Sequence, residues 1–272
     1  MTWGAEADEV VLDGQARADR KVARVLDLLD PARPPCRVVS DNDFPTGAGL
    51  ASSASGFAAL VVAAAAAAGR ELPVDALSAL ARQGSGSACR SLHGGFVAWP
   101  LGERADGTDS VGVPVAPAEH WDLRLVVAVV SEGPKAVGST EGMVRSRQTS
   151  PYWAAWVAMG PALCDEARQA VLARDLQRLG EAMETSTFAM HATMHTARPP
   201  LLYWHPQTVA ALHAVQGLRA QGVGAWATMD AGPQVKVLCA PADAARVAEA
   251  LAPHVLRVDV HGPGGPARVL AT

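Results

Sequence analysis

Little in this chain ties it to a membrane, a metal or a nucleic acid. Its longest apolar run, residues 57–68, is mostly alanine and falls short of the roughly 20 residues needed to span a bilayer, so no transmembrane segment is expected. Residues 1–20 hold no apolar signal core, because Glu6, Asp8, Glu9 and Asp13 interrupt them. The four cysteines, Cys36, Cys89, Cys164 and Cys239, form no Cys-x-x-Cys pair and have no histidine at ligand spacing. This argues against a disulfide framework and a zinc site, and fits a reducing, cytoplasmic setting; no metal ligands are assigned. Charge is sparse and balanced, with 23 basic against 27 acidic residues and a formal net charge of −4. That is too near neutral for binding along a nucleic-acid backbone, so any anionic ligand must be met locally. There is no tandem repeat, and no Gly-Lys-Ser/Thr follows a glycine loop as a Walker motif requires.

What is present is a chain of 272 residues, 49% hydrophobic, enough for one large or two small domains. A strand over 9–12, a turn at Asp13-Gly14, and a surface helix carrying Val22, Val25, Leu26 and Leu29 open the sequence. A strand over 36–40 runs into a loop over 41–49, and a helix opens near Ser52 or Ser53 and ends at Gly69. A further helix over 75–83 is followed by a short helical turn, strands over 96–99 and 111–115, and a buried strand over 123–130. Beyond a domain break near Trp121, helical patterns occupy 140–149, 153–184 and 205–221. Strands over 225–229, 235–239 and 256–260 enclose a helix over 242–251. Helices and strands mixed in this way indicate an α+β chain, with units over 1–121 and 122–272.

Four segments could carry chemistry. In the first, residues 44–56, small residues permit close backbone approach, and the amides of a helix N-terminus with serine hydroxyls attract phosphate. A plain helix cap is an equal reading, since Ser52 stands where the third glycine of Gly-x-Gly-x-x-Gly belongs. In the second, Ser85-Gly86-Ser87-Ala88-Cys89-Arg90, two hydroxyls and one guanidinium could grip a phosphate or, in bidentate fashion, a carboxylate. A structural loop with Arg90 in a surface ion pair is the alternative. In the third, Asp230-Ala231-Gly232-Pro233 follows an apolar strand, where a general base can be held rigidly or an Asp can simply shape a turn. In the fourth, residues 137–143, Ser139 or Thr140 could cap a helix whose free amides receive an anion, and a cap without a ligand is the favoured alternative. His191 and His195, at i and i+4, lack an evident third ligand and read as a packed or solvated face, and the tryptophans read as core.

Taken in order, residues 42–56, 82–95, 138–143 and 230–233 closely resemble the mevalonate diphosphate decarboxylase family, of the galactose, homoserine, mevalonate and phosphomevalonate kinase superfamily. Supporting stretches at 105–110, 115–121, 191–193 and 199–200 extend the resemblance over nearly the whole chain. It implies a two-lobed α+β fold with the active site between an ATP-binding lobe and a C-terminal lobe. It implies ATP-dependent decarboxylation of mevalonate 5-diphosphate to isopentenyl diphosphate, with Mg2+ accompanying the ATP, in a cytoplasmic homodimer whose partner is a small-molecule substrate, with no nucleic acid or membrane.

By the same resemblance Asp230 serves the 3-hydroxyl as base or orienting group, and Arg90 holds the substrate carboxylate. Pro45, Gly47, Ala48, Gly49, Leu50, Ala51, Ser52, Ser53 and Ser55 cradle the ATP phosphates. Ser85, Gly86, Ser87, Ala88 and Cys89 help hold substrate, and Gly138, Ser139 and Thr140 lie where its diphosphate binds. Family members carry, before the matching part, a segment with a Tyr-Trp-Gly-Lys motif whose lysine contacts substrate and phosphates. Here the match begins after it, and the nearest lysine, Lys21, stands on an expected surface helix. A kinase that phosphorylates a related mevalonate compound without decarboxylation, and a non-catalytic nucleotide-binding remnant, are the competing readings.

Overall fold

A computed structural model describes residues 1–43, 51–133 and 135–270. They fall into two compact units, one of residues 1–43, 51–114 and 264–270 and the other of residues 115–133 and 135–263.

In the first unit, β1 (Thr2–Trp3), β2 (Glu9–Leu12), β3 (Gln15–Arg17), α1 (Arg20–Leu29) and β4 (Cys36–Ser40) come first. The sheet order is β1-β4-β2-β3, with β2 parallel to β4 and antiparallel to β3. Asp13 and Gly14 both take positive φ, 51° and 75°, the two-residue turn whose twist suits a hairpin. The second arm of that hairpin, β3, was not expected; it is fully exposed and polar, so it carries no apolar alternation to read. Asp19 caps α1 by accepting from the Lys21 and Val22 amides, and Val25, Leu26 and Leu29 turn into the core.

The helices α2 (Ser52–Ala67) and α3 (Val74–Gly84) complete that core. The alanines of α2 allow close approach, and Phe57, Leu60, Val61 and Ala64 are buried. Gly69 ends the helix with φ 62°, as its position suggested. At Gly84 a side chain has no room, because the Phe57 ring lies where a Cβ would be. A 3-10 helix, Gly86–Leu92, and β5 (Phe96–Ala98) follow. The strand β6 (Val113–Ala116) pairs with β5 at the point in the sequence where the first unit gives way to the second. The chain passes between the units at Pro114 and Val115, and its last stretch returns to the first unit. The Gly95 amide donates there to the Gly264 carbonyl at 2.9 Å, and Ala267 packs on the first core.

The second unit comprises β7 (Arg124–Val129), α4 (Ser139–Thr149), α5 (Trp153–Ala173), α6 (Leu176–His195), α7 (Pro206–Ala220), β8 (Ala225–Thr228), β9 (Val235–Cys239), α8 (Ala244–Leu251) and β10 (Arg257–His261). Its antiparallel sheet runs β10-β7-β9-β8. Alternation sorts β9 by face: Val235, Val237 and Cys239 join Leu212 and Val215 of α7 and Val247 and Leu251 of α8 in one core. Lys236 therefore points to the opposite face, the side on which Thr228 of β8 meets Thr187 of α6 at 3.0 Å. The long helical pattern over 153–184 resolves into α5 and α6 at Arg174, which turns left-handed at φ 55°, and Asp175, which caps α6 by accepting from the Arg178 amide.

Candidate active site

In the first unit, Pro45, Gly47, Ala48, Gly49 and Leu50 lie outside the described residues. The described part of the segment begins at Ala51, which enters α2 with φ 58° and ψ 30°, a left-handed conformation unusual for a residue with a Cβ. Ala51 has no polar side chain with which to cap α2, and its carbonyl accepts from the Ala54 amide at 2.8 Å. Ser53 is exposed, and its hydroxyl lies 3.0 Å from that of Ser85, so α2 and the Ser85 segment meet through the two hydroxyls. Ser52 is half-buried; the Ser55 hydroxyl turns back to the Ser52 carbonyl at 3.1 Å and lines a groove of about 470 Å³ beside Pro266 and Leu270.

The Ser85–Arg90 segment divides by face. Ala88 and Cys89 are wholly buried; the Cys89 thiol donates to the Gly86 carbonyl at 3.2 Å, and burial pushes that thiol's pKa up. The 3-10 turn points these two side chains inward. The turn is anchored by Ser78, whose hydroxyl donates to the Cys89 carbonyl at 3.0 Å and accepts from the Gly112 amide at 2.9 Å. Gly86 and Arg90 stay exposed, and Ser85 and Ser87 half-exposed. Arg90 forms no ion pair among the described residues, so the surface-pair reading of its guanidinium has no partner to support it.

In the second unit Asp230 stands just beyond β8, half-exposed, at the centre of a fixed turn. Its carboxylate pairs with the Lys236 ammonium of β9. Its main-chain carbonyl accepts from the Gly232 amide at 2.8 Å and lies 3.1 Å from Nε2 of His191. Three residues on, the Thr208 hydroxyl of α7 donates to the Pro233 carbonyl at 2.8 Å. The buried Gln234 side chain accepts from the Val130 and Ser131 amides, tying the turn to the end of β7. Two helices and two strands thus hold one short loop, the kind of rigid support a working carboxylate needs.

Lys135, in the stretch between β7 and α4, reaches the same turn. Its ammonium donates to the Ala231 carbonyl and, at 2.8 Å, to the Ser139 hydroxyl. Burial lowers its pKa, opposed by the Asp230 charge and helped by Lys236. Gly138, Ser139 and Thr140 are exposed at the start of α4, which has no side-chain cap. The Asp230 carboxylate, two ammonium groups and the exposed N-terminus of α4 are therefore gathered in one place, a set suited to a hydroxyl that must meet a phosphoryl group.

Neither Lys135 nor Lys236 was found from the sequence, although a signal existed. The chain has three lysines among 23 basic residues, and two of them converge on this turn. Where arginine fills most cationic positions, a retained lysine marks a need for a compact ammonium with rotatable donors. His191 is also more than a packed face: it is 1% exposed and uses both ring nitrogens. Of the tryptophans, Trp226 is core at 9% exposure, whereas Trp204 is half-buried against His191 and His195.

The chain matches two family models, "Diphosphomevalonate decarboxylase-like N-terminal domain" over residues 2–112 and "Mevalonate 5-diphosphate decarboxylase C-terminal domain" over residues 125–261. Diphosphomevalonate decarboxylase of Aspergillus fumigatus is 41% identical over 255 residues, which make up 85% of this chain and 63% of that protein. The match thus spans under two thirds of that relative's length. A solved complex of MDDEF with MVAPP, AMPPCP and magnesium is similar at a TM-score of 0.90 and 35% identity, covering 99% of this chain and 85% of that one. Mevalonate diphosphate decarboxylase from Staphylococcus aureus is similar at a TM-score of 0.87 and 32% identity, covering 97% and 82%. Among the described residues no helix is long and apolar enough to cross a membrane.

Proposed function

The chain belongs to the mevalonate diphosphate decarboxylase family, and from that we propose that it converts mevalonate 5-diphosphate and ATP to isopentenyl diphosphate, ADP, phosphate and carbon dioxide. The observation that carries the reading is the Asp230 turn, where a fixed carboxylate stands beside two ammonium groups, one of which also reaches Ser139 at the exposed start of α4.

In this reading Asp230 receives or orients the proton of the tertiary 3-hydroxyl, so that this oxygen can attack the γ-phosphoryl of ATP. A tertiary alcohol leaves poorly until phosphorylated; afterwards the C–O bond breaks, the carboxylate carbon departs as carbon dioxide, and its electron pair closes the alkene. Lys135 and Lys236 offset phosphate charge near that oxygen, and Gly138, Ser139 and Thr140 receive the substrate diphosphate. Arg90, unpaired among the described residues, takes the substrate carboxylate in a bidentate grip and orients it for loss.

Ala51, Ser52, Ser53 and Ser55 continue the phosphate-binding segment that begins at Pro45, and the left-handed turn at Ala51 leads that segment into the N-terminus of α2, whose dipole favours an ATP phosphate. Magnesium would be carried on the ATP phosphate oxygens, as it usually is at nucleotide sites. When bound there, the ion neutralises charge on the transferring phosphoryl group.

We also propose a cytoplasmic homodimer. The four free cysteines suit a reducing compartment, and Tyr152 and Val157, 55% and 52% exposed at the start of α5, offer an apolar surface to a second copy.

The test is incubation of the purified chain with ATP, magnesium and carboxyl-labelled mevalonate 5-diphosphate, following ADP and labelled carbon dioxide together. Both should rise in step, and Asp230→Asn should abolish both. ADP without carbon dioxide would identify a kinase, and full turnover by the Asn variant would remove Asp230 from its role.

A further inference from the structure

Resting on the role just given to Asp230, the geometry points to His191 as a positioning residue that fixes the main chain of Asp230 from behind, with Trp204 locking the imidazole in the tautomer that does so. His191 lies on α6, remote in sequence from the turn, and is 1% exposed. Its Nδ1 accepts from the Trp204 indole N–H at 3.0 Å. An indole nitrogen only donates, so this nitrogen carries the lone pair and the proton sits on Nε2. That N–H donates to the Asp230 carbonyl at 3.1 Å.

This assignment excludes the usual employments of a buried histidine. A ring with its lone pair held by one fixed group and its N–H by another has nothing left for a metal or for proton transfer with substrate. Plain packing is a poor account as well, since an apolar residue of similar size would fill the space without the cost of burying two polar nitrogens. What the imidazole does is complete the Asp230 carbonyl, which accepts from the Gly232 amide as its second partner. With both donors in place the 230–231 peptide plane cannot rotate, and that plane sets the direction in which the Asp230 side chain leaves the backbone. Lys236 then limits the remaining side-chain freedom. Burial, aided by His195, keeps the ring neutral down to about pH 4, so the clamp stays intact across the physiological range.

The experiment compares His191→Phe, which keeps a ring but removes both nitrogens, His191→Gln, which keeps an amide donor, and Trp204→Phe, which removes only the tautomer lock. Each is measured for kcat and for KM toward both substrates. A catalytic group displaced by about an ångström costs on the order of 100-fold in rate. The Phe variant should therefore lose roughly 30- to 100-fold in kcat with KM changed by less than about threefold; His191→Gln should recover most of it, and Trp204→Phe should fall between. A readout independent of turnover accompanies this: the Gly232 amide, which donates to the same carbonyl, should exchange with solvent at least about tenfold faster in His191→Phe than in His191→Gln.

A His191→Phe variant with kcat within threefold of the parent and unchanged Gly232 exchange would overturn the proposal. Equal kcat losses in the Gln and Phe variants would do the same, by reducing His191 to a packing role. Full activity in Asp230→Asn would instead refute the catalytic reading of Asp230 and leave the clamp to be judged by the exchange measurement alone.

Discussion

Acidification from pH 7 to 4 should weaken the second unit chiefly through His191. An ordinary histidine titrates near 6.5, and burial, with the neighbouring His195, brings His191 down to about 4 against the opposing pull of Asp230. The folded state therefore holds His191 neutral where the unfolded chain would protonate it. Stability from this source is complete above pH 6.5 and is lost as the pH falls towards 4, because unfolding takes up a proton within that window. The displacement corresponds to about 3 kcal/mol in all, lost at no more than about 1.4 kcal/mol per pH unit. His195, whose pKa burial also lowers, acts in the same direction. Asp8 in the first unit does not contribute here: Arg33 holds its carboxyl near 2, so its ion pair is lost only between about pH 4 and 2. Urea unfolding followed by far-ultraviolet circular dichroism at half-unit pH steps would measure the effect in the parent and in His191→Phe. The parent should lose roughly 3 kcal/mol more than the variant between pH 6.5 and 4. Parallel stability curves for the two proteins would refute the assignment of the acid sensitivity to this ring.

Arg90→Lys should keep the charge but lose the planar fork, raising KM for the diphosphate substrate by roughly 30-fold, the equivalent of about 2 kcal/mol, with the ATP KM nearly unchanged; equal KM values for parent and variant would show that Arg90 does not hold the carboxylate. Gly180→Ala should be destabilising although alanine is the better helix former, because the Trp226 indole fills the place of the new Cβ. A loss of about 2 kcal/mol is expected by thermal or urea unfolding, and a gain would mean that the Trp226 ring moves freely.

Much of the scaffold could be read before any coordinates. The strands at Cys36–Ser40 and Val235–Cys239 have the expected bounds, and α1, α3, α4, α7 and β7 lie within a residue or two of expectation, since their apolar periodicity is local. The turn at Asp13-Gly14 and the helix stop at Gly69 were legible because positive φ selects a few residue types. The four chemical segments, with Asp230 and Arg90 in them, stood out by composition and order. What escaped were features without a local pattern: the polar edge strand β3, the inward turn of Ala88 and Cys89, and the return of the last residues to the first unit.

The sequence by itself determined the family, the secondary structure that periodicity and turn chemistry dictate, and the residue types available for phosphate and carboxylate recognition. It could not tell a turn-forming Asp230 from a catalytic one, because both readings use the same four residues. What the tertiary structure adds in support of the catalytic reading proposed above is the company it gives Asp230: it brings Lys236 from β9, Lys135 from the stretch before α4, His191 from α6 and Thr208 from α7 onto one loop. The partners lie up to 96 residues from the atoms they hold, as Lys135 does from Ala231, and no spacing rule reaches across such a distance. Packing of helices against a twisted sheet sets those juxtapositions, so the electrostatic surroundings of Asp230 exist only once the second unit has folded.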